Sequence, residues 1–84
     1  MLICRVTGSV ISTRKNEKLT GCRFLIVESL NKETPPFVAV DNIGAGTGET
    51  VLVVRGSGAR IASGSNDIPV DAAVVGIIDE GTLT

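Results

Sequence analysis

The chain has 84 residues, nine of them acidic and eight basic, with a net charge of −1, no histidine and 43% hydrophobic side chains. Such a composition describes one small globular domain over residues 1–84, and a core hiding only about 60–65% of the unfolded surface leaves a lone subunit marginal. No apolar run reaches the roughly 18 residues of a membrane span, and the missing histidine excludes a Ser-His-Asp triad and, with only two cysteines, a zinc site.

In residues 2–13 the apolar Leu2, Cys4, Val6 and Val10 alternate with Arg5, Thr7, Ser9 and Thr13, the period of a half-buried strand. That alternation is unlike a signal peptide, so the chain is expected to stay in the cytosol. "RKNEKLTG" turns the chain, and Arg14, Lys15 and Lys18 read as an exposed turn, not a nucleic-acid or membrane patch. "CRFLIVESL" returns as a second strand, which sets Cys4 near Ser29 and Cys22 near Ile11. The thiols then stand about seven residues apart, roughly 23 Å along the strand. A disulfide tolerates only about 7 Å between Cα atoms, so both cysteines are expected to be free.

"NKETPP" breaks the ladder, because two prolines cannot continue it. "FVAVD" is a short third strand and "TVLVV" a fourth, separated by "NIGAGTGE". In "RGSGARIASGSNDIPVD", Ser57 could cap a helical turn over 58–62, with Gly64 ending it. "AAVVGIID" is the last strand. Five or six short strands with one helical turn predict an all-β fold, a small closed or nearly closed barrel.

The glycines at 44, 46 and 48 raise the question of a phosphate loop. The dinucleotide fingerprint needs a third glycine three residues after the second, and Glu49 stands there instead. No Gly-Lys-Ser/Thr sequence and no long following helix is present to hold a phosphate. A tight turn of positive φ, without room for a Cβ, is the better reading. Glu49, Asp41, Asp67, Asp71 and Asp79 fall at turns or strand ends, where solvated or capping roles are usual. With no cofactor motif either, catalysis is not expected. An oligonucleotide-binding barrel is the alternative, but such surfaces stack bases on aromatics in a basic groove. Here Phe24 and Phe37 are the only aromatic residues.

"FLIV" (24–27), "VLVV" (51–54) and "AAVVGII" (72–78) are apolar at consecutive positions, yet only alternate residues reach a barrel interior. Some of Leu25, Val27, Leu52, Val54, Val75 and Ile78 must therefore be covered from outside. Parallel sheets use helices for this, and the chain has none to spare. Another copy of itself is the remaining candidate. Hiding four or five aliphatic side chains at about 1.5–3 kcal/mol each gives on the order of 10 kcal/mol before entropy losses, so an obligate oligomer is predicted.

"VTGSVIST", "CRFLIVESL", "VAVDNIGAGTGETVLVVRGSGAR" and "PVDAAVVGIID" resemble, in order and spacing, the EutN/CcmL family of bacterial microcompartment shell proteins, from Val6 to Asp79. Two departures stand out: Gly58 replaces the second of two serines frequent in the family, and "NKETPP" is shorter than many members' insertion. The resemblance implies an OB-like five-stranded barrel, assembled as a cyclic homopentamer that closes the corners of a carboxysome or catabolic microcompartment in the cytoplasm. It further implies hexameric or pseudohexameric shell tiles as neighbours, and no cofactor, metal, nucleic acid or membrane. Under it, Gly44, Gly46 and Gly48 are expected near the ring axis or a subunit seam, so that Gly46→Val impairs assembly. Arg60 is expected to make a polar contact between subunits.

Overall fold

The alternating start of the sequence forms β1 (Leu2–Val10), whose Cys4 and Val6 are fully enclosed while Ile3 and Arg5 face out. The computed structural model describes residues 1–12, 15–32, 34–64 and 69–79; Thr13, Arg14 and Asp67, singled out above, lie outside them. A single 3₁₀ turn over Glu17–Leu19 follows, entered through Asn16, whose side chain accepts from the Lys18 N–H. Then come β2 (Arg23–Ser29), β3 (Phe37–Asp41), β4 (Thr50–Arg55), the short helix α1 (Ser57–Ala62) and β5 (Ala72–Ile78). The predicted strands are all present, although the first ends at Val10 rather than residue 13.

The five strands close into a barrel in the order β1-β2-β3-β5-β4. Every pairing is antiparallel except β3 with β5, a parallel seam of two pairs, Val40 with Ala73 and Asp41 with Val74. This is an OB-like closed barrel with one short helix. Its interior is filled by small aliphatics, chiefly Cys4, Val6, Leu25, Val27, Ala39, Val51, Val53 and Val74, with the partly buried Leu2 and Phe37 packed against them. Side chains of this size suit the narrow bore of a five-stranded cylinder.

β1 pairs with β2 so that Cys4 stands opposite Ser29, as the hairpin reading required. Between Val6 and Gly8 the register shifts by one, a bulge that the sequence pattern did not reveal. Cys22 lies just before β2 and lines a shallow recess with Val10, Ile11 and Ser12. Both thiols are free. Burial pushes the Cys4 thiol above its ordinary value of 9.0, opposed by the positive charge of Arg55.

Two expectations about the barrel wall need correction. Leu25 and Val27 point inward and are 2% and 0% exposed, so the barrel itself covers them. In "FLIV" all four residues are apolar, and only the pairing partners set which two face in. The chain also has a helix to spare after all. Ala59 of α1 packs on Val40 and Ala73, with Val54, Phe24, Cys22 and Val70 around them, so one sector of the outer wall is sealed internally. Ser57 does not cap that helix. Gly56 occupies the N-cap position and no side chain bonds there, while Gly64 follows the C-cap Ser63 as predicted.

Candidate functional site

The loop between β3 and β4 is built around one carboxylate. Asp41 ends β3, 1% exposed. Its Oδ1 accepts from the N–H of Ile43 at 2.9 Å and of Gly44 at 3.2 Å. Oδ2 accepts from the N–H of Gly44 at 3.2 Å and of Ala45 at 2.9 Å. Arg23 closes the arrangement, donating Nη1 to Oδ2 at 3.0 Å and Nη2 to the Ala45 carbonyl at 3.2 Å. Successive backbone N–H groups turned to one point form a concave anion site of the kind that binds phosphate. Here the chain's own aspartate fills it. That answers the question raised by the glycines, and it makes Asp41 a buried capping residue rather than a solvated one.

The far side of the loop is tied down as well. The Gly46 N–H donates to Glu49 Oε1 at 2.6 Å, and the Glu49 N–H returns to the Gly46 carbonyl at 3.1 Å. The Gly48 N–H donates to the Val6 carbonyl at 2.8 Å and the Val6 N–H to the Glu49 carbonyl at 2.9 Å, which stitches the loop to β1 beside its bulge. Gly44 and Gly48 adopt φ of 106° and 92°, a region that side-chain-bearing residues rarely enter. Crowding, the other half of the expectation, is absent among the described residues. A Cβ at either position would meet nothing within 4 Å, and one at Gly46 would meet only Glu49 Oε1 at 3.4 Å. The loop is thus hydrogen-bonded at both ends and open, with Ile43 53% exposed on it.

The remaining candidates fall on the outer wall in different settings. Leu52 is half-buried between the inward Val51 and Val53, and faces out beside Ile3 of β1 and Gly76 of β5. Ile78 pairs with Thr50 on the same face, and Val75 is the extra residue of a second bulge, between the Leu52–Gly76 and Val53–Val74 pairs. Val54 lies under α1. Arg60, half-buried in the last turn of α1, makes no side-chain hydrogen bond or ion pair with the described residues. Arg55 lies over the Phe37 ring, 4.6 Å from its centre, and Phe24 packs beside Val40 and Ala59, so neither aromatic stands free on the surface. Asp71 accepts at its backbone carbonyl from the Gly56 N–H at 2.8 Å, at the start of β5. Among the described residues no cluster of three or more His, Cys, Asp or Glu could hold a metal ion.

Sequence reasoning did not single out Ile3, Ile26 and Val38, which stand on the outer faces of β1, β2 and β3. Ile3 and Val38 are 40% and 47% exposed. Ile3 sits in "LIC" and Val38 in "FVAV", where unbroken apolar runs hide which residue faces out. Asp41 had a usable signal: an aspartate at a strand end, followed by a glycine three residues on, is able to turn the backbone onto its own carboxylate.

A closed OB-like barrel, a self-capped glycine loop and an aliphatic outer wall together define a small β-barrel built for association. The family described as "Ethanolamine utilisation protein EutN/carboxysome" matches residues 1–79. The carboxysome shell vertex protein CcmL of Thermosynechococcus vestitus is 49% identical over 83 residues, covering 94% of this chain and 84% of that protein. The microcompartment shell vertex protein EutN of Escherichia coli K12 is 45% identical over 84 residues, covering 95% and 88%. The solved GrpN pentameric microcompartment shell protein from Rhodospirillum rubrum superposes with a TM-score of 0.83 at 43% identity, covering 94% of each chain. The chain belongs to the EutN/CcmL family, the shell vertex proteins of bacterial microcompartments.

Proposed function

We propose that the chain assembles as a homopentamer that fills the five-fold corners of a polyhedral microcompartment shell in the bacterial cytoplasm. Its work is architectural rather than catalytic. A flat six-fold lattice cannot close on itself, and twelve five-fold positions turn it into a polyhedron, so the ring's neighbours are hexameric or pseudohexameric tiles. The observation that carries the reading is the outer wall. α1 seals one sector, while among the described residues Ile3 and Val38 stay exposed and Leu52 and Ile26 half-buried on the outer faces of β1, β3, β4 and β2. Hiding them between copies, at about 1.5–3 kcal/mol per side chain fully buried, supplies the stability that so small a core lacks. Gly46 and the exposed Ile43 at the loop, and Arg60 on α1, are candidates for further contacts between subunits.

Native mass spectrometry of the purified protein tests this. A particle of five chains is expected. A six-chain particle makes the protein a flat tile, and a stable single chain at micromolar concentration ends the assembly reading altogether.

A further inference from the structure

Two rows of outward residues run from β1 in opposite directions around the barrel. One crosses β4 to β5 through Ile3, Leu52 and Gly76, which are successive cross-strand partners. The other crosses β2 to β3 through Gly8, Ile26 and Val38. Each row is aliphatic at two positions and ends in a glycine within a strand. On the far side of the barrel, between β3 and β5, α1 intervenes.

Nothing among the described residues requires those glycines. Neither Gly8 nor Gly76 takes a left-handed φ, although each borders a bulge, so the bulges themselves accept an ordinary residue. A Cβ at Gly8 would rest against Ile26 Cδ1 at 3.8 Å, and one at Gly76 against Leu52 Cβ at 3.9 Å, both ordinary contacts. Within the barrel alone, alanine would fit and stiffen the strand. A strand glycine often marks a bulge, a tight bend at a barrel corner or the close approach of another backbone, and the ordinary φ and open Cβ space at Gly8 and Gly76 favour the last.

Resting on the pentamer reading, we propose that the Ile3–Leu52–Gly76 row of one subunit docks against the Gly8–Ile26–Val38 row of the next copy of the same chain. The glycines make room for the partner's aliphatic side chains and backbone. A cyclic ring uses head-to-tail contacts, which need two unlike surfaces on each subunit. The barrel carries two such surfaces, separate and of matching chemistry. In a two-fold dimer a single row would suffice, paired with itself.

Gly8→Ala and Gly76→Ala test the fit, with Gly58→Ala on α1 as the control. Native mass spectrometry of the wild type is run first, so that failure of the five-chain reading is seen separately. Each row variant is expected to keep the barrel's circular dichroism at low temperature but to weaken assembly at least tenfold in sedimentation, its thermal midpoint falling only in step with the lost assembly, while Gly58→Ala assembles normally. Rings of wild-type affinity from both row variants overturn the proposal and leave the pentamer standing. If an alanine variant fails to fold, cross-linking decides. In a Cys22→Ser background, Ile3→Cys and Val38→Cys together are expected to give a covalent ladder up to the full ring with a short bismaleimide. Each alone should give none. A ladder absent from the double variant, or self-linked pairs from either single variant, overturns it equally.

Discussion

At Gly44 and Gly48 the backbone itself demands glycine, because φ of 106° and 92° would strain any side-chain-bearing residue. At Gly8 and Gly76 the backbone demands nothing, and ordinary contacts await a Cβ. The loop between β3 and β4 is over-determined from within, by one buried carboxylate and its N–H donors. The strand rows are under-determined within one subunit and make sense only with a second copy against them. The need for a small residue can thus be internal or external in origin, and geometry separates the two.

The contrast can be broken or sharpened by substitution. The largest loss is expected from Asp41→Ala, which strips the loop N–H groups and Arg23 of their acceptor; about 3–5 kcal/mol of stability should go, read by urea denaturation at fixed protein concentration. Leu25→Ala, in the barrel interior, should cost about 2–5 kcal/mol. Leu52→Ala, on the outer row, should instead weaken assembly while leaving single-subunit stability closer to wild type. If both variants lose barrel stability equally, Leu52 is a core residue and the distinction between the two faces fails. Gly48→Ala should cost about 1–3 kcal/mol through backbone strain, whereas the same substitution at Gly8 should leave the subunit unharmed and be felt in ring formation.

The smallest effect concerns the interior thiol. Burial raises the Cys4 pKa, so the folded protein holds that proton more tightly than the unfolded chain. Its contribution is fully present below the ordinary thiol value of 9.0 and is lost as pH climbs from there through the folded value. Stability of the wild type should fall more steeply above pH 9 than that of Cys4→Ala, measured by denaturation across a pH series. In native protein at neutral pH, a maleimide should label Cys22 and reach Cys4 only on unfolding.

Much of the barrel was legible because its signals are local. Alternation in "LICRVTGSV", the prolines at 35 and 36, and the short apolar runs set all five strands nearly where they lie. The need for cover on the outer wall was legible too, but its location was not. "FLIV" and "VLVV" look alike in sequence, yet the second and fourth residues of the first, Leu25 and Val27, face inward, while the second and fourth of the other, Leu52 and Val54, face outward. Pairing with β1 sets that phase, and a one-residue bulge between Val6 and Gly8 shifts it midway. Such phase is a non-local property, and no window of sequence contains it. The self-capped loop was half legible: glycines announced a turn, while the carboxylate that occupies it sits in a strand.

Asp41 closes two things at once. It is one of only two residues through which β3 meets β5, the shortest stretch of hydrogen-bonded wall in the cylinder, and it is also the post to which the exposed loop is moored. Load applied to that loop at a crowded corner is therefore delivered straight to the barrel's thinnest weld, and the mooring and the weld hold or yield together.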